Sequence, residues 1–321
     1  MSLDAKPENS APTPPALQPL RGVRLLSLAL NLPGPAALMR CHAMGASCHK
    51  IEPPPAPGHD SGDPMRQYCP AAYSALHIGV QVSVADLKTP DGQHALHQAL
   101  AETDVLLTSF RPAALTKLGL GWNQLQARYP QLSQVAIVGA PGARANEAGH
   151  DLTYLAERGL VTGLDLPATL YADMGGSLMV SEAILQAVLH QKLNTGAAGT
   201  YQEIALSDAA GYLALPLSWG LTQPGPGSAV GGGHAGYRVY PCADGRVAVA
   251  ALEPHFAAAL CRVAGLPLQQ VTSTAALGAL MFSASTHQAI SEFLRQQSCS
   301  HLDALAAQHD LPLHTLPDPL A

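Results

Sequence analysis

His150 and Asp151 stand side by side in the segment NEAGHDLTYLAERGL, where an imidazole and a carboxylate meet the predicted start of a short helix. Histidine changes its charge near neutral pH and is the side chain most often used to move protons. A structural interpretation is also open, in which Asp151 caps the helix, Gly159 follows its end and His150 is a surface residue. The segment alone does not choose between these two interpretations.

Two further acids occupy positions where chemistry is possible. Asp173, in ATLYADMGGSLM, precedes Gly175 and Gly176, at the mouth of a long helix that is predicted to run from Gly175. The glycines would let a ligand approach the backbone, and free N–H groups there could bind a developing oxyanion. Glu253, in VAALEPHF, ends an apolar strand before Pro254. The structural alternatives are that Asp173 caps its helix and that Glu253 is an exposed strand-end residue before a helix that starts with proline.

The composition excludes several classes of protein. Of the 321 residues, 47% are hydrophobic and 12% charged, with a net charge of −6 and no Lys/Arg run, which argues against a nucleic-acid partner. The six cysteines form no CxxC pair, and the fourteen histidines show no HxH or HExxH spacing. We therefore expect reduced thiols in a cytoplasmic protein, and no metal site.

The first residues and the apolar runs of the chain predict neither a signal peptide nor a membrane-spanning helix. Residues 1–19 are polar and proline-rich without an apolar core, which predicts a flexible leader and not a signal peptide. No apolar run reaches the roughly 20 residues that a membrane-spanning helix needs. We expect a soluble protein with no membrane partner.

Short strands alternate with helices from residue 20 onward, and this alternation predicts a parallel, doubly wound α/β sheet. Ligands of such sheets bind at the carboxyl ends of the strands, where we expect four loops to converge. These loops follow Leu30, Glu52, Phe110 and Gly139. From Glu52 to Cys69 the pattern predicts a loop.

The second half of the chain predicts a smaller domain. A Gly/Pro-rich segment, residues 222–236, separates a large domain, residues 20–221, from an α+β domain, residues 237–321. The small domain should open with a β-hairpin that has Asp244-Gly245 at its turn. It should close with a short strand near LPLHTL.

The order of the motifs resembles the family III CoA-transferase superfamily and, within it, the α-methylacyl-CoA racemase branch. The matching stretches are LRGVRLLSLALNLPGP, MGASCHKIEPP, VADLKTPDGQHAL, DVLLTSFRPAALTKLGLGW, EAGHDLTYLAERGL, LYADMGGSLM, YQEIALSDA and YRVYPCADGRVAVAALEPHF. They are collinear from about residue 20 to 270. The resemblance implies a Rossmann-like large domain, a smaller α+β domain and an interlocked homodimer whose active site lies between subunits.

The resemblance also assigns roles to individual residues. Those assigned to catalysis are His150, Asp173, Glu253, Asp151 and Tyr154, with His150 and Asp173 as the acid/base pair. Those assigned to contact with CoA are Arg111, Lys50, Gly175 and Gly176. The only small molecule implied is the acyl-CoA thioester substrate, without a metal or redox cofactor.

The chemistry that follows is inversion at the α-carbon of an acyl-CoA thioester. One group removes the α-proton and another delivers a proton on the opposite face. A helix N-terminus favours the neutral imidazole of His150, the base form, while burial would keep Asp173 protonated as the acid. Two alternatives to racemisation remain open.

In the first alternative, Asp173 is the covalent nucleophile of a CoA transferase.

The other alternative is a divergent, non-catalytic CoA-binding homologue. Where family members carry a basic stretch, this chain reads HIGVQVS. Ile78, Val80 and Gln81 then stand where cations would meet the nucleotide and phosphates of CoA.

Overall fold

The computed structural model describes residues 17–223, 227–269 and 271–318. Most of the predicted leader and three residues of the predicted linker, 224–226, lie outside the described residues. The chain divides between Ala214 and Leu215 into two compact units. None of the described helices combines the length and the sustained apolarity that a bilayer-spanning segment requires.

The first unit is built on a six-stranded parallel sheet. Its strands are β1 (Arg24–Ser27), β2 (Ser47–Glu52), β3 (Gln81–Val84), β4 (Val105–Thr108), β5 (Ser133–Val138) and β6 (Tyr201–Ala205). Their order in the sheet is β3-β2-β1-β4-β5-β6, with every neighbouring pair parallel. This is the strand order of a Rossmann fold, and the direction of winding reverses between β1 and β4. The predicted doubly wound fold is confirmed.

Helices cover both faces of this sheet. They are α1 (Pro33–Ala43), α2 (Met65–Tyr68), α3 (Pro70–Leu76), α4 (Pro90–Ala101), α5 (Pro112–Lys117), α6 (Trp122–Arg128), α7 (Asp151–Glu157), α8 (Tyr171–Leu193) and α9 (Leu206–Leu213). Four of them start with proline, whose fixed φ suits the first helical position and whose missing N–H is not needed there. The predicted loop before Cys69 is wrong in part, because α2 forms within it.

The core explains why the central strands read as continuous apolar runs. Every residue of β4 and β5 is buried. Successive side chains point to opposite faces, so Leu25 joins one hydrophobic cluster while Leu26 joins another on the other side of the sheet. A parallel sheet that is covered on both faces needs such runs, which places its ligand site at a strand end and not on a face.

The second unit is a small α+β structure. Its antiparallel sheet has the order β7-β8-β9, from β7 (Tyr237–Cys242), β8 (Gly245–Ala250) and β9 (Leu313–Pro317). Its helices are α10 (Leu215–Ser218), α11 (Pro254–Val263), α12 (Thr274–Met281), α13 (Ala284–Arg295) and α14 (Cys299–His309). The predicted hairpin turn is displaced by one residue. Cys242 pairs with Gly245, so Ala243 and Asp244 form the turn.

Candidate active site

A pocket of about 630 Å³ lies at the carboxyl ends of β1, β4 and β5. Its walls come from the segments that follow these strands, together with residues from α2, α7 and α8. The pocket therefore straddles the point between β1 and β4 where the winding reverses, which is where sheets of this topology bind ligands. Its volume is in the range of pockets that hold a small molecule or part of a larger cofactor.

His150 lines this pocket and is exposed at its surface. It is the N-cap residue of α7, and its own backbone N–H donates to the Thr153 hydroxyl at 3.0 Å. The Thr153 hydroxyl also donates to the carbonyl of His150 at 2.7 Å. Because Thr153 closes the start of the helix, the imidazole is not required as a cap and remains open to the pocket.

Asp151 is the first residue of α7, so the interpretation of it as the cap of that helix is wrong. Its side chain is 5% exposed, and its Oδ1 accepts the backbone N–H of Asp173 at 3.0 Å. Asp151 thus satisfies one of the free N–H groups at the start of α8, the longer helix. A single carboxylate joins the beginnings of α7 and α8 at the pocket.

Asp173 is the third residue of α8, half-buried, and also lines the pocket. The pKa of its carboxyl is raised from 3.8 to about 6, mainly by burial and in part by the negative charge of Asp151, while His150 acts in the opposite direction. A carboxyl with this pKa exchanges protons near neutral pH, as a general acid or base must. The structure therefore brings His150, Asp151 and Asp173 together.

Tyr154 completes this group. Its ring is buried and its side chain lines the pocket. Burial raises the pKa of the phenol, and Asp173 raises it further, so the hydroxyl stays protonated and can donate a hydrogen bond. The ring occupies the space beside Gly139 and Gly149, where a Cβ would collide with it. Sequence reasoning named Gly139 only as the residue before a ligand-site loop and gave neither glycine this packing role.

The pocket carries more negative than positive charge. Arg111, the N-cap residue of α5, is exposed and is the one Lys or Arg among the described lining residues. Three carboxyl groups line the pocket, those of Glu147, Asp151 and Asp173. Arg111 is therefore the available cation for an anionic group of a ligand at this site.

Lys50, predicted to contact CoA, lies elsewhere. Its side chain is fully buried, and its ammonium group is 2.9 Å from the Glu52 carboxylate, in a short ion pair with Asp63 and 3.0 Å from Nε2 of His77. Glu52 also accepts hydrogen bonds from Tyr73 and other neighbours. An ammonium enclosed in this way has no free face for a phosphate, so Lys50 does not belong to the pocket surface.

Asp63, which forms an ion pair with Lys50, also holds the backbone of the pocket walls. Oδ1 of Asp63 accepts the backbone N–H of Asn31 at 3.0 Å and that of Met65 at 2.9 Å. Both of these residues line the pocket. Asn31 has φ of 63°, a left-handed conformation that asparagine tolerates better than most residues. The buried ion pair therefore supports the backbone of two wall segments.

Gly175 and Gly176 pack against a helix and do not form an anion site. The helix α8 begins at Tyr171, four residues earlier than predicted, so both glycines lie beyond its open first turn. A Cβ on Gly176 would collide with Leu206, and one on Gly175 would lie 3.2 Å from Leu213. The glycines allow α8 and α9 to approach closely.

Glu253 lies in the second unit, where it is the exposed N-cap residue of α11 and is followed by Pro254. In the first unit, Ile78 is 70% exposed, whereas Val80 is half-buried against the core. Neither Ile78 nor Val80 is among the described residues that line the pocket.

The parallel sheet, with a pocket at its switch point that carries both acidic and basic side chains, defines a doubly wound α/β protein with a Rossmann-type ligand site. The sequence also matches a known protein family. CoA-transferase family III matches residues 20–319, and the chain belongs to this family.

Relatives of the chain include two kinds of enzyme. It is 30% identical to the α-methylacyl-CoA racemase of Mus musculus over 270 residues, which are 79% of this chain and 67% of the racemase. It is 33% identical to the succinyl-CoA–D-citramalate CoA-transferase of Chloroflexus aurantiacus over 202 residues, 58% of this chain and 48% of the transferase. The chain thus spans between about half and two thirds of these two relatives. Such relatives support an enzyme of this family.

A solved structure confirms the fold. A hypothetical protein from Mycobacterium tuberculosis superposes with a TM-score of 0.76, covering 95% of this chain and 86% of that protein at 24% identity. A CAIB/BAIF family protein from Brucella suis gives a TM-score of 0.69 at 22% identity, covering 94% and 85%.

Proposed function

We propose that the protein is a racemase or epimerase that acts at the α-carbon of an acyl-CoA thioester. The observation that carries this proposal is the presence, in one pocket, of His150 and of Asp173 with its pKa raised to about 6. Inversion at carbon needs two groups that can each take or give a proton near neutral pH.

For each stereoisomer, one group accepts a proton and the other donates one. Neutral His150 removes the α-proton, and the electron pair of the C–H bond passes to the thioester carbonyl as an enolate. Protonated Asp173 then delivers a proton to the opposite face and is left as the carboxylate. With the other stereoisomer, ionised Asp173 is the base and protonated His150 the acid. The Tyr154 hydroxyl, which is kept protonated, is a donor for oxygen atoms in the site.

The charge of the pocket supports binding of the thioester end of the substrate. Three carboxyl groups and one guanidinium line it, so a group with several phosphates would be repelled from its interior. The acyl and thioester parts of an acyl-CoA are uncharged at the reacting carbon. We infer that these parts enter the pocket and that Arg111 meets the anionic remainder at the rim.

The test is isotope exchange. Incubated with a 2-methylacyl-CoA in D₂O, the protein should introduce deuterium at the α-position, as detected by mass spectrometry and NMR. Asp173→Asn keeps the shape of the side chain but cannot take up or deliver the proton, so exchange should be lost. Asp60→Asn, at an exposed position away from the pocket, is the matched control and should exchange at the wild-type rate.

CoA transfer is the second candidate, and the same carboxyl favours it. A group with a pKa of about 6 is mostly ionised at pH 7.5, and an ionised carboxylate is the form that attacks an acyl-CoA. Movement of CoA between two acids, with a covalent adduct trapped on Asp173, would select transfer over racemisation. Neither signal across a broad panel of acyl-CoA substrates would leave the non-catalytic, CoA-binding alternative.

Glu253 and the predicted homodimer extend the proposal. In the interlocked dimer that the family resemblance implies, the second unit of one chain would cover the first unit of its partner. Each site would then take His150 from one subunit and Glu253 from the other. General acid–base groups act only within hydrogen-bond reach of the substrate, so the two residues must meet in a working site.

Complementation tests this arrangement. Heterodimers of His150→Ala and Glu253→Ala chains would hold one intact site and one doubly damaged site. They should recover up to about half of the wild-type activity per dimer, whereas each parental homodimer should stay inactive. Purified heterodimers as inactive as the parents would show that the residues are not shared in this way, without bearing on the isotope exchange itself.

A further inference from the structure

Two thiols and a carboxylate lie together in the second unit, where the β7–β8 hairpin approaches the start of α14. The sulfur atoms of Cys242 and Cys299 are 3.6 Å apart, and Sγ of Cys242 is 3.9 Å from Oδ1 of Asp244. These three ligand atoms all lie within 4.8 Å of one another. Cys242 and Cys299 are buried, whereas Asp244 is exposed, so the cluster is reachable from solvent on one side.

The backbone holds this cluster in place. Cys242 is the last residue of β7, Asp244 lies in the two-residue turn, and the backbone N–H of Cys299 donates to Oδ1 of Asp244 at 2.7 Å. The hairpin is also tied to the same region by the N–H of Ala243, which donates to the carbonyl of Gln297 at 2.8 Å. Segments 57 residues apart in the chain are therefore brought into a fixed register.

The spacing matches a tetrahedral metal site. With Zn–S bonds of about 2.3 Å and Zn–O bonds of about 2.1 Å, a tetrahedral ion needs about 3.8 Å between two sulfurs and about 3.6 Å between sulfur and oxygen. The observed 3.6 Å and 3.9 Å lie within a few tenths of an ångström of these values. A disulfide would need the sulfurs at about 2.05 Å. The described geometry is thus closer to that of metal ligands than to that of a bonded pair.

We propose that Cys242, Cys299 and Asp244 bind a thiophilic divalent cation, Zn²⁺ in the first instance, with water in the fourth position. Each thiol releases its proton to solvent as its sulfur binds the metal, so two thiolates and one carboxylate oxygen surround the ion. Soft sulfur ligands beside one oxygen suit zinc and disfavour magnesium or calcium. The N–H of Cys299 orients the carboxylate from outside the coordination shell.

The site has a structural and not a catalytic consequence. A metal bound to Cys242 and Cys299 would join the hairpin to α14 and stabilise the second unit, since the ligands come together only in the folded chain. Because each thiol must lose its proton to bind a metal, metal binding should release protons and weaken as the pH falls.

Cobalt provides the probe. The full-length protein, reduced and stripped of metal with a chelator, would be titrated with Co²⁺ alone. We expect one ion per chain, with thiolate-to-cobalt charge-transfer absorption in the near ultraviolet, and displacement of the cobalt by Zn²⁺. Cys242→Ser and Cys299→Ser should each remove that absorption and weaken binding about tenfold or more.

The matched control is Cys261→Ser. Cys261 is buried in the same unit, but its sulfur contacts Met281, so this variant should bind cobalt as the wild type does. Asp244→Asn covers the case in which a core variant fails to fold, because Asp244 is exposed. It should keep the thiolate absorption but bind cobalt more weakly. An intact protein without thiolate–cobalt absorption, or with absorption unchanged in both Cys242→Ser and Cys299→Ser, would overturn the proposal.

Discussion

Replacing Asp173 with asparagine should stabilise the protein at alkaline pH while it removes catalysis. Raising the pKa of a carboxyl from 3.8 to about 6 makes its ionised form about 3 kcal/mol less favourable in the folded chain than in the unfolded chain. The first turn of α8 favours the ionised form by up to about 1 kcal/mol, and water at the half-buried carboxyl screens it further. We therefore expect a net effect of about 2 kcal/mol.

The direction with pH follows from the sign of the pKa change. Because the pKa of Asp173 is higher in the folded chain than in the unfolded one, its contribution to stability is fully present below pH 3.8. That contribution is lost as the pH rises through about 6. Asparagine does not titrate, so the stability of Asp173→Asn relative to wild type should rise by about 1–2 kcal/mol between pH 4.5 and pH 8.

The assay is urea unfolding followed by tryptophan fluorescence at several pH values. The chain has two tryptophans, Trp122 in the first unit and the exposed Trp219 in the second, so a Trp219→Phe background makes the signal report the first unit. Asp60→Asn in the same background is the control and should show no such trend. A stability difference between Asp173→Asn and its parent that stays constant from pH 4.5 to pH 8 would refute the desolvation argument.

Four further substitutions probe the surroundings of the site. Asp151→Asn keeps an acceptor for the N–H of Asp173 but removes the charge that raises its pKa, so the acidic limb of the kcat/KM profile should move to lower pH. Gly176→Ala should lower the free energy of unfolding by about 1–3 kcal/mol, because its Cβ would collide with Leu206. Gly175→Ala should change it by less than about 1 kcal/mol, because its Cβ would lie 3.2 Å from Leu213. Urea unfolding measures both changes. Lys50→Met leaves the buried carboxylates of Glu52 and Asp63 without their cation and should lower the free energy of unfolding by about 3–5 kcal/mol. A loss of less than about 1 kcal/mol would show that these ion pairs are not buried in solution.

Much of the fold could be predicted because its signals are local. The runs in β4 and β5 are mostly apolar, and several helix starts carry proline, so each element can be recognised within its own residues. Element boundaries were less accurate. The start of α8 was predicted at Gly175 but lies at Tyr171. The earlier start is supported by Asp151, 22 residues earlier in the chain, whose carboxylate accepts the N–H of Asp173. No local pattern reports such a partner.

Some residues of the candidate site could likewise be predicted from the sequence, and others could not. His150 and Asp173 could be paired because the family resemblance assigns them the two acid/base positions, and the structure places both in one pocket. Lys50 was misplaced, since a lysine on a strand gives no sign of whether its ammonium meets solvent or two acids. The deciding partner, Asp63, lies in a segment whose pattern predicted only a loop.

Asp151 shows why the site and the fold depend on one another here. Its Oδ1 fixes the backbone of Asp173 at the start of α8, and its charge helps to raise the pKa of the same residue. One side chain therefore holds the backbone of Asp173 in position and contributes to the raised pKa of its carboxyl. A longer glutamate could supply the charge but not the same 3.0 Å contact, and an asparagine the contact but not the charge. Only aspartate at this position provides both, whether Asp173 acts as an acid or as a nucleophile.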